Sequence, residues 1–208
     1  MSFLNEMDQL SRRSKVVIAF VVMVIGGGVL TYLMGASRGV SPAFTEARMQ
    51  GALIAQGIVD ISTKSTASLE EINKLDRAGK YAEALTLTNQ LIEKNKEIKE
   101  RAIALSKELE AMTKALESIE SEQARDLALR SISSRLAMIS RLIQYSDSTA
   151  KLLETLKLRF SGGSYGQTTN IKALIEEINA QVNAINNFDR EARDSINQFD
   201  TITSGGAS

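Results

Sequence analysis

Apolar and polar positions divide this chain into one unbroken apolar block followed by long stretches of helical period. The block is Val16 to Met34, VVIAFVVMVIGGGVLTYLM, nineteen residues without a charge. At about 1.5 Å of rise per residue, a helix of that length covers roughly 28 Å, close to the ~30 Å hydrocarbon core of a bilayer. The pattern therefore predicts a single N-terminal transmembrane helix over 16–34. Downstream, apolar or small residues recur at steps of three and four, as in a heptad seam. One run passes through Phe44, Ala47, Gly51, Ile54, Ile58, Ile61, Ser65, Leu69, Ile72 and Leu75, and predicts a helix over 42–77 that Ser41 caps and Pro42 begins.

The cleanest run, Leu91, Asn95, Ile98, Ala102, Leu105, Leu109, Met112, Leu116 and Ile119, predicts a second helix over 81–119. Beyond Ile119 the same register would place Gln123, Asp126 and Arg130 in the seam, so the register breaks there. A new seam through Leu129, Ile132, Leu136, Ile139, Ile143, Ser146, Ala150 and Leu153 predicts a third helix over 122–160, capped by Ser118 or Ser121. One long bent helix over 81–160 is the alternative. The sequence SGGSYGQTTN, residues 161–170, reads as a loop, and a fourth helix over 169–200 carries Ile171, Leu174, Ile178, Val182, Ile185, Asp189, Ala192, Ile196 and Phe199. The rods are of near-equal length, which is what side-by-side packing needs. The expected fold is all-α: an N-terminal membrane anchor, a linker over 35–41, an antiparallel four-helix bundle or pair of coiled-coil hairpins over 42–202, and a disordered tail over 203–208.

Charge orients the anchor. Arg12, Arg13 and Lys15 directly precede the apolar block, while Arg38 is the one cation close behind it. By the positive-inside bias, residues 1–15 form a cytoplasmic tail and the bundle lies outside the membrane. A removable signal peptide, cut near Gly35-Ala36-Ser37, is the rival reading, but its apolar core should run about 7 to 15 residues. Ser11-Arg12-Arg13 also resembles the start of a twin-arginine export signal, with Lys15 standing where that motif has an apolar residue.

Composition narrows function. The chain has no cysteine and no histidine, which removes disulfides, thiolate nucleophiles, imidazole bases and the commonest zinc ligands together. Its 25 basic and 25 acidic residues balance, so nothing favours nucleic acid. Adjacent carboxylates such as Glu70-Glu71 and Glu176-Glu177 point about 100° apart on a helix and form no acid/base dyad. No enzyme activity and no cofactor are expected.

Two resemblances carry architecture alone. AGKYAEAL, from Ala78, resembles the corner of a tetratricopeptide repeat through Gly79, Tyr81 and Ala84; no second copy occurs at that family's period, so it implies a helix-turn-helix corner. An anchor followed by four long antiparallel helices is similar in outline to the sensing bundle of bacterial chemoreceptors. That likeness implies the alternative function, a ligand-binding ectodomain signalling through a partner. The leading expectation is a structural or interaction module in an envelope assembly or homo-oligomer, with a protein as its partner and not a small molecule. Its candidate contact residues are the small-residue ridge Ala47, Gly51 and Ala55, for which burial inside the bundle is the favoured alternative, and the polar stripe Asn179, Asn183 and Asn186, which is otherwise a solvated flank or a set of register-fixing interhelical hydrogen bonds.

Overall fold

The computed structural model describes residues 40–162 and 171–204, and the predicted anchor lies outside them. Among the described residues there are four long α-helices and no strand: α1 (Pro42–Arg77), α2 (Tyr81–Ala115), α3 (Glu122–Phe160) and α4 (Ile171–Ser204). None of these is long and apolar enough to cross a membrane. Each is rich in residues of high helix propensity, and the chain's single proline stands at the first turn of α1, where its missing N–H would have no partner anyway.

The breaks between helices have local causes. Ser41 Oγ accepts from Phe44 N (3.3 Å) and starts α1. Gly79, with φ +70°, reverses the chain after α1 so that Lys80 N reaches Leu75 O at 2.9 Å. A side chain would strain that left-handed backbone. The second corner has neither glycine nor proline. Here α2 stops four residues before the predicted end at Ile119, tightens into a 3-10 turn (Leu116–Ser118), and turns out through an extended Ile119. Ser121 Oγ then accepts from Ala124 N (3.2 Å) to begin α3. Residues 81–160 are thus two helices. At the other end α4 runs to Ser204, inside the stretch read as tail, and its last hydroxyls bond back to helix carbonyls, as Thr203 does to Phe199 O (2.9 Å).

Neighbouring helices run antiparallel, since numbers rise on one as they fall on the next. Gly51 faces Leu105, Asn95 bonds to Ser146, Ser131 bonds to Ala192 O, and Arg48 reaches Asp200. The topology is up-down-up-down. Sequential pairs lie close, whereas α1 and α4 meet chiefly through long side chains at the base, the end that holds Val40, the α2–α3 corner and Ser204.

The core has two parts. A larger apolar cluster fills the base half around Phe44, Met112, Ile132 and Phe199, and a smaller one fills the tip half around Ile72, Leu91, Leu153 and Phe160. Every predicted seam residue of the second and fourth helices is buried. The third helix departs from its prediction. Leu129 and Leu136 are 45% and 44% exposed, while Ala124, Ala128, Ser131, Met138 and Leu142 point inward with Ile132 and Ile139. The helix packs tightly on both α2 and α4, so its buried face is wider than one heptad stripe and is turned toward α4.

Candidate interaction surfaces

The small-residue ridge lies inside the bundle. Ala47, Gly51 and Ala55 are all buried. A Cβ placed on Gly51 would sit 3.4 Å from Leu105 Cδ1 and 3.6 Å from Glu108 Cβ, so the ridge lets α1 and α2 approach closely. Met49 and Leu53, from the same part of α1, remain exposed on its outer side.

The asparagine stripe divides in two. Asn179 and Asn186 are half-buried, with Oδ1 atoms that no protein donor reaches, while Asn183 is exposed. Seven-residue steps from Asn186 lead to Arg193 and Asp200, and Asp200 accepts two hydrogen bonds from Arg48 of α1, at 2.6 and 2.7 Å. Asn179 and Asn186 therefore lie on the flank of α4 that faces α1. Asn183 continues through Arg190 and Asn197, all exposed, and is the part of the stripe that another molecule can reach.

Between the two apolar clusters runs a polar layer to which all four helices contribute. Asn95 Nδ2 donates to Ser146 O (2.8 Å) and Ser146 Oγ returns a bond to Asn95 O (3.1 Å). This reciprocal link fixes the register of α2 against α3. Ser62 and Ser65 of α1 and Thr149 of α3 are buried within about a turn of that level, as is Asn179 of α4 in part. Ser65 Oγ and Asn95 Oδ1 have no protein partner. Tyr145 packs against both clusters beside the layer, and burial pushes its phenol up.

Among the described residues, three of the ion pairs have a buried member. Arg48 with Asp200 ties α1 to α4 at the base in a two-pronged contact, and Asp76 with Arg159 (2.7 Å) ties α1 to α3 at the tip. Within α4, Asp189 sits in the apolar seam with Arg193 at 2.5 Å. Burial raises the Asp189 pKa, and the charges of Arg193 and Arg135 oppose that rise. Sequence reasoning missed the first two pairs because their partners stand 152 and 83 positions apart, and a lone Arg or Asp on a helix carries no signal of a distant counter-charge.

Among the described residues no group of three or more carboxylates is placed to hold a metal ion. The remaining ion pairs are mostly exposed Lys-Glu and Arg-Asp pairs on helix surfaces, where solvent screens them and they add little. Comparison of the chain with family models, with curated proteins and with solved structures returns no match.

Proposed function

We propose that the chain is a single-pass membrane protein, N-terminus in the cytoplasm, that presents a rigid four-helix bundle outside the membrane as a docking module. One observation carries the reading: an uncharged nineteen-residue apolar run is joined by the short connector 35–41 to a capped helix that is itself part of the bundle. A bundle attached in this way is held at a fixed place relative to the bilayer. Its mechanism is positioning, with apolar seams and buried ion pairs stiffening the rods while outer faces take up a partner.

The test is photo-crosslinking in native membranes, with a photoreactive residue replacing Asn183 or Glu110, both exposed. A specific protein adduct from either position, identified by mass spectrometry, is the expected result. Adducts to lipid or water alone from both positions would contradict a docking module.

A further inference from the structure

We propose that the module's partner is a second copy of this chain, docked antiparallel along the outer face of α3. The proposal rests on the docking-module reading and names what that module binds. It begins with what α3 leaves uncovered. Leu129 and Leu136 are exposed two turns apart, and Ile103 of α2 is 45% exposed. The Lys99–Asp147 ion pair (2.7 Å) marks the outer rim of the α2–α3 seam. Ile103 lies one turn along α2 from Lys99, and Leu136 three turns back along α3 from Asp147, so both sit on that rim. The Asn95–Ser146 link puts Ile103 level with Met138.

The α3 part of this face is uncharged where a surface helix is normally charged, while its α2 rim carries Lys99, Lys107 and Glu110 around Ile103. Between Arg130 and Asp147, the exposed residues of α3 are Ser133, Leu136, Ser140 and Gln144. Of the two arginines of that span, Arg141 donates to Gln144 of its own helix (3.1 Å) and to Gln181 of α4 (3.5 Å), and Arg135 bears on Asp189 of α4. Serine and alanine here let another helix come close, with little polar surface to desolvate.

The charges at either end then select the occupant. Arg130 and Asp147 are equidistant from a point between Met138 and Ile139, and so are Asp126 and Lys151. All four are exposed. A two-fold axis through that point, across α3, sets Arg130 opposite Asp147 of the partner subunit and Asp126 opposite Lys151 of the partner subunit, each twice by symmetry. Ile103 and Leu136 fall beside the axis, at the centre of the shared face. A parallel pairing would instead set Asp126 and Asp147 each against its own copy. Self-complementarity of this kind is what an isologous dimer requires.

The absence of native cysteine makes the test direct. In the proposed register Ser140 lies opposite Ala137, so two Ser140 residues are offset by about 4.5 Å along the helices, whereas two Ser133 residues are about 16 Å apart. The full chain, purified in detergent, is prepared as Ser140→Cys, Ser133→Cys and Gln144→Cys and oxidised. Ser140→Cys should form a disulfide dimer, Ser133→Cys alone should not, and a mixture of Ser133→Cys with Gln144→Cys should crosslink. Independently, Arg130→Glu and Asp147→Arg should each weaken self-association about tenfold, and mixing the two variants should restore it. A monomeric Ser140→Cys chain with native helicity, or self-linking of Ser133→Cys as efficient as that of Ser140→Cys, would overturn the proposal. A different protein captured from Asn183 in native membranes would leave the docking module standing even then.

Discussion

At the scale of single residues, the most informative positions are those where a small or polar side chain sits inside the bundle. Gly51 has room for a methyl group at ordinary contact distance from Leu105, and alanine gains up to about 1 kcal/mol of helix propensity over glycine. Gly51→Ala should therefore raise the thermal midpoint. Gly51→Leu forces α1 and α2 apart and should destabilise by about 1–3 kcal/mol; chemical denaturation of the two variants checks both signs. Asn95→Ala removes both the side-chain bond to Ser146 O and the packing of a buried group, a loss of about 1–3 kcal/mol by the same measurement. Asp189 gives a pH dependence. Its folded pKa lies above the unfolded value, so the folded state binds the extra proton as pH falls, and the penalty of burying the carboxylate is relieved as pH drops through the folded pKa. The Asp189 contribution to stability thus rises on acidification and falls as pH rises. Asp189→Asn should flatten that part of the stability-versus-pH curve, and an unchanged curve would show that Arg135 and Arg193 fully offset the burial.

At the scale of helices, the apolar period told most of the story where one face is buried against its neighbours. The seams from Leu91 to Ile119 and from Ile171 to Phe199 are buried at every position. It failed on α3, because Leu129 and Leu136 fit a heptad as well as Ile132 and Ile139 do, and periodicity cannot tell an inward stripe from an outward one beside it. The same ambiguity hid the division of the asparagines, since the side of α4 that faces α1 is fixed by Arg48 and Asp200, not by local pattern. The α2–α3 corner was legible only as a break in register. Its chemistry rests on the 3-10 turn and the Ser121 cap. Ser121→Ala should cost about 1 kcal/mol and increase amide exchange in the first turn of α3 without altering the tip.

At the scale of the whole molecule, four rods are held by two apolar clusters, a polar layer between them and buried ion pairs at base and tip. The base is the end from which the chain leads back toward Val16–Met34, so the α2–α3 corner with Glu117 and Glu120 stands at the same end as Val40. Attachment at one end of a stiff bundle is the premise of the proposed function, and a chain without cysteine allows it to be measured with single labels. Ser2→Cys and Asn183→Cys, expressed separately at native levels, would be treated in intact spheroplasts with a membrane-impermeant maleimide and again after lysis. Asn183→Cys should label at once and Ser2→Cys only after lysis; labelling of Ser2→Cys first, or of both only on lysis, would rule out a bundle outside the membrane on an anchor with its N-terminus inside.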